Sequence, residues 1–96
     1  MSALDHLLND LVIANKVLAK EAIVDAYGHI SVRHPDNPKR FFLSRSLAPE
    51  LITRDDIVEH DLECNPAAGD DRPLYLERFI HGAILEARPD INVVVH

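Results

Sequence analysis

The chain has 96 residues, is 47% hydrophobic and carries a formal net charge of −6. A chain of this length buries about 60–65% of the surface its unfolded form exposes, which supports one small core, so residues 1–96 read as a single, partial domain. The acidic balance disfavours nucleic acid and membrane surfaces and leaves a small-molecule substrate or other subunits as the expected partners.

The lone Cys64 has no partner for an internal disulfide, and the N-terminus lacks the basic segment and continuous apolar run of a secretory signal. A cytoplasmic location is the expectation. The first predicted element is an amphipathic helix over 3–19, in which Leu4, Leu7, Leu8, Leu11, Val12 and Leu18 follow the helical repeat. Ser2 with Asp5 three residues on resembles a capping box. After Gly28 the period changes to two: Ile30 and Val32 alternate with Ser31 and Arg33 as in a half-buried strand. His34-Pro35-Asp36-Asn37-Pro38 then supplies a turn before a second strand at Phe41-Phe42-Leu43.

Residues 44–50 read as a loop, 57–62 as a short strand and 65–69 as a break. A second helix starts at Pro73, where the first turn tolerates proline, and ends at Arg88-Pro89, with Leu76, Phe79, Ile80, Ala83 and Ile84 on its apolar face. A final apolar strand delivers His96. Arg33, Lys39, Arg40 and Arg45 form a local basic cluster, read as a solvated hairpin face with anion binding as the alternative. His6, His34 and His60 read as surface residues, and His81 could orient Glu77 from one helical turn away.

Glu77 lies nineteen residues before His96. A carboxylate near a helix start and an imidazole at a strand end can face one site, and metal-assisted carbon-acid chemistry uses both groups. Read alone, each has a simpler use: an acidic residue in a first turn complements the helix dipole, and one histidine ending a strand is ordinarily structural.

The segments Gly28-His29-Ile30-Ser31-Val32-Arg33, Leu43-Ser44-Arg45-Ser46, Glu77-Arg78-Phe79-Ile80-His81, Arg88-Pro89-Asp90 and Val93-Val94-Val95-His96, in this order, resemble successive landmarks of the class II aldolase/adducin family. The resemblance implies an α/β fold, a three-layer α/β/α domain of which this chain covers roughly the N-terminal half, assembled as a homotetramer. It also implies a divalent metal, zinc or alternatively manganese, held by histidines, with His96 as one ligand and Glu77 as the acid–base residue beside it. Gly28, His29, Ser44, Arg45 and Ser46 match the substrate-binding segments.

The activity implied is metal-dependent carbon–carbon lysis: aldol cleavage of a hydroxy-carbonyl compound through a metal-stabilised enediolate. Compared with the sugar-phosphate aldolases of that family, His29 stands in place of an asparagine and Tyr75-Leu76 in place of paired serines, which argues against a phosphorylated substrate. Decarboxylation of a hydroxylated aromatic acid is the alternative, with Arg45 or His29 on the carboxylate. A non-catalytic, adducin-like assembly module and an inactive fragment are the others. For the 96 residues by themselves, weak metal binding and self-association are expected.

Overall fold

The computed structural model describes residues 2–96, and its centre is a four-stranded antiparallel sheet in the order β3-β2-β1-β4. The elements are α1 (Ala3–Lys20), β1 (Ile30–Arg33), β2 (Arg40–Ser44), β3 (Ile57–Asp61), α2 (Arg78–Ala87) and β4 (Val93–Val95), with short 3₁₀ turns at Pro49–Leu51 and Arg54–Asp56. The strand period of two sorts the side chains onto two faces. Ile30, Val32 and Phe42 pack against Leu8 and Leu11 of α1 on one face. Phe41, Leu43 and Val94 pack against Leu85 of α2 on the other. The result is helix, sheet, helix, the three layers expected.

The capping box at Ser2 forms as read: the Asp5 amide donates to Ser2 Oγ and the Ser2 amide donates to the Asp5 carboxylate, each at 3.1 Å. The second helix departs from expectation, beginning at Arg78 rather than Pro73. Residues 73–77 are held outside the helix by the loop after β2: the Ser46 amide donates to Pro73 O at 2.9 Å, the Leu47 amide donates to Tyr75 Oη at 3.3 Å, and Tyr75 Oη–H donates to Leu47 O. Those tertiary bonds place Glu77 at the N-cap.

Arg33 fixes the other end of α2. Its guanidinium is buried and donates to the carbonyls of Pro38, Leu85, Arg88 and Ile91, at 2.6–3.1 Å. Arg40 pairs with Glu59 at 2.5 Å and Arg45 with Asp56 at 2.7 Å. The three arginines of the basic cluster read from sequence are therefore divided among three separate sets of acceptors. His60, expected at the surface, is fully buried; it lies directly opposite Phe41 across the β2–β3 ladder and stacks on that ring.

Candidate active site

The site lies where β1 begins and β4 ends. His29 and His96 exchange both backbone N–H···O bonds at 2.9 Å, which extends the β1–β4 ladder by one pair and sets their rings side by side, 5.1 Å between centroids. Glu77 reaches this pair from the start of α2. One carboxylate oxygen lies 3.4 Å from His29 Nε2 and the other 3.5 Å from His96 Nδ1. The Glu77 side chain makes no cap hydrogen bond to the helix it precedes. Simple helix capping does not account for that orientation, because an N-cap side chain ordinarily turns back to the free amides of the first turn.

Behind Glu77 the site is closed. His29 is 1% exposed and packs between Tyr75 at 4.5 Å and His81 at 4.8 Å, centroid to centroid. His29 Nδ1 lies 2.6 Å from His81 Nε2, and His81 Nδ1 lies 2.5 Å from Ser31 Oγ. Burial lowers the pKa of His29 against the opposing pull of the Glu77 hydrogen bond. Burial, helped by the neighbouring His29 and His96 rings, lowers that of His81 to about 3. Burial thus favours the neutral imidazole at His81.

In front of Glu77 the site is open. A cleft of about 270 Å³ is lined by Ala26, Tyr27, Ser46, Leu47, Tyr75 and Glu77. Glu77 and His96 are both about half exposed. Of the other positions matched to substrate binding, Ser46 lines this cleft, while Ser44 is buried and donates to Tyr75 Oη at 3.4 Å. Gly28 is buried where an added Cβ would fall 2.3 Å from Val24 Cβ, so its place is one of close packing. Arg45 is engaged by Asp56, and His29 does not line the cleft but lies behind two residues that do, Glu77 and Tyr75. Sequence reasoning passed over Ser31 and gave His81 no firm place, although Ser31 is two residues from His29 in an extended segment and His81 is four from Glu77, spacings that put each pair on one face.

Donor atoms of His29, Glu77 and His96 all lie within 4.8 Å of one another. Imidazole with carboxylate suits zinc or manganese, and donors bound at about 2.0–2.2 Å stand apart by distances close to the 3.4 and 3.5 Å seen here. The two separations run to different Glu77 oxygens, and it is the His96–Glu77 pair that suits a divalent cation. A three-ligand site from these residues alone would require His29 to give up its contact with Glu77.

The chain belongs to the class II aldolase/adducin family: the Class II Aldolase and Adducin N-terminal domain matches residues 9–96. It is 45% identical over 85 residues to decarboxylase tropJ of Talaromyces stipitatus, covering 83% of this chain and 31% of that protein. Among solved structures it resembles L-fuculose 1-phosphate aldolase from Glaciozyma antarctica PI12 (TM-score 0.82, 30% identity, 94% of this chain and 39% of that one). An aldolase II superfamily protein from Pseudomonas syringae superposes with a TM-score of 0.78 at 27% identity, over 95% of this chain and 38% of that one. The chain therefore spans about a third to two fifths of the length of these relatives.

Proposed function

We propose that the protein is a metal-dependent carbon–carbon lyase acting on an unphosphorylated substrate, with Glu77 as the acid–base residue and His96 as a metal ligand. The observation that carries this reading is the carboxylate of Glu77, held between His29 and His96 at the rim of a cleft instead of capping its own helix. When bound, a divalent cation supplies Lewis-acid stabilisation of negative charge on a substrate oxygen. His96 would be one ligand to it, beside the Glu77 carboxylate.

Decarboxylation of a hydroxylated aromatic acid is the version favoured by the likeness to tropJ and by the cleft, whose walls include Tyr27 and Tyr75 and whose lining residues carry no positive charge for a phosphate. The reaction breaks the bond to the carboxyl carbon, releases carbon dioxide and leaves an electron pair on the substrate carbon, which must take up one proton. Glu77 acts first as base toward a substrate hydroxyl and then as acid toward that carbon, and the hydroxyl recovers its proton from water. Tyr75, tied to the β2 loop, provides a fixed wall against which a ring can be oriented. Aldol cleavage is the second reading, favoured by the resemblance to the fuculose-phosphate aldolase structure. It makes the same demand on Glu77.

In the full-length, metal-loaded protein, Glu77→Gln is expected to lower turnover by about 100-fold or more while leaving the metal content intact, the scale of general acid–base contributions. An unchanged rate would remove Glu77 from the chemistry. Carbon dioxide release from hydroxylated aromatic acids, compared with cleavage of fuculose phosphate, separates the two versions; efficient cleavage of the phosphate would overturn the substrate assignment.

A further inference from the structure

The proposed chemistry uses only the last link of a longer buried chain. Ser31 Oγ lies 2.5 Å from His81 Nδ1, His81 Nε2 lies 2.6 Å from His29 Nδ1, and His29 Nε2 lies 3.4 Å from Glu77 Oε1. Ser31 and His81 are 0% exposed and His29 is 1% exposed. Both nitrogens of each ring are engaged. Polar side chains so deeply buried are tolerated only when every donor meets an acceptor, and here the acceptor at the end of the series is the one carboxylate that faces the cleft.

The ends of the chain set its direction. An ionised Glu77 can only accept, so His29 carries its proton on Nε2 and offers Nδ1 as an acceptor to the Nε2–H of His81. The Nδ1 of His81 is then an acceptor for the Ser31 hydroxyl. We propose that Ser31 and His81 are positioning residues for the Glu77 carboxylate: acting through His29, they hold Oε1 on a fixed N–H so that Oε2 faces His96 and the cleft. The inference rests on the reading of Glu77 as the acid–base residue. Without such a tie, a half-exposed glutamate at a helix N-cap samples several rotamers, whereas proton transfer requires it within about 2.6–3.2 Å of the reacting group. Neither Ser31 nor His81 lines the cleft, and neither belongs to the donor set of His29, Glu77 and His96.

The test uses the full-length, metal-loaded protein as wild type, Ser31→Ala, His81→Gln and Glu77→Gln. Ser31→Ala and His81→Gln are expected to lower kcat by about 10- to 100-fold, the usual cost of losing a partner that orients a working side chain, with KM and metal content unchanged. A readout independent of turnover is the ¹⁵N spectrum of the histidine-labelled protein. Wild type is expected to show His29 and His81 both as Nε2–H tautomers, with the His81 signals displaced in Ser31→Ala. Lower thermal stability with unchanged kcat would make the chain merely structural and overturn the inference, as would Nδ1–H tautomers in the wild type even if the variants fail to fold. Loss of metal in parallel with kcat would make His29 a ligand supported by the chain, which also overturns it. A collapse of turnover in Glu77→Gln beside an unchanged rate in Ser31→Ala and His81→Gln defeats this inference alone, whereas an unchanged rate in Glu77→Gln defeats the acid–base reading on which it depends.

Discussion

Asp56 shows how one carboxylate can serve two elements. Its oxygens accept from the Arg45 guanidinium at 2.7 Å and from the amide and hydroxyl of Thr53 at 2.8 and 2.9 Å, closing a capping box over the 3₁₀ turn that leads into β3. Burial alone would raise its pKa, but the hydrogen bonds from Arg45 and Thr53 outweigh burial and hold it below the ordinary carboxylate range. A pKa lower in the folded than in the unfolded chain contributes stability that is present above the unfolded value, about 3.9, and is lost as pH falls through the folded value. Melting temperature is therefore expected to drop on acidification below about pH 4. In Asp56→Asn the melting temperature should be lower at neutral pH and the acid slope shallower. A variant with the wild-type slope would show that Asp56 does not contribute.

At the scale of elements, Arg33 joins four pieces of chain. The carbonyls of Leu85 and Arg88, at and just after the end of α2, and that of Ile91 have little to pair with inside the helix, and one guanidinium serves all three as well as Pro38 in the hairpin. That joint sets where β4 enters the sheet and so, eight residues after the helix cap at Arg88, where His96 arrives. Arg33→Met should cost about 3 kcal/mol, the upper range for a hydrogen bond from a charged group. Hydrogen exchange should show the amides of β4 and the last turn of α2 losing protection before those of β2 and β3. Uniform loss across the sheet would mean that Arg33 acts on global stability and not as a local joint.

For the whole molecule, one stretch of exposed apolar surface coincides with a sheet edge, at β4. Val93 is 50% and Val95 47% exposed, on the face where Leu7, Leu11, Ile30 and Val32 line an apolar groove. Among the described residues β4 pairs only with β1, so its outer edge presents free amides and carbonyls. Surface of this kind favours strand-to-strand association. The 96-residue chain is expected to self-associate at micromolar concentration, and Val95→Lys, which puts a charge on the edge, to reduce light scattering; a monodisperse monomer with Val95 intact would contradict this. No helix among the described residues is long and apolar enough to cross a membrane.

Periodicity alone determined α1, the hairpin, the third strand and the body of α2, because each buries a single apolar face whose repeat is written in consecutive residues. The ordered landmarks from Gly28 to His96 carried the family. Glu77 and His96 were identified through that resemblance; their spacing alone also suited a dipole partner and a structural histidine. The start of α2 was decided by the tertiary structure, since proline is tolerated in a first turn and only contacts from Leu47 to Tyr75 and from Ser46 to Pro73 hold residues 73–77 out of the helix. The burial of His60 was likewise set by its place opposite Phe41, which no local pattern records. The chain from Ser31 through His81 and His29 to Glu77 required the same information. Its members lie 48 to 52 residues apart in sequence, wherever a link crosses from β1 to α2, and such distances are closed only when sheet and helix pack.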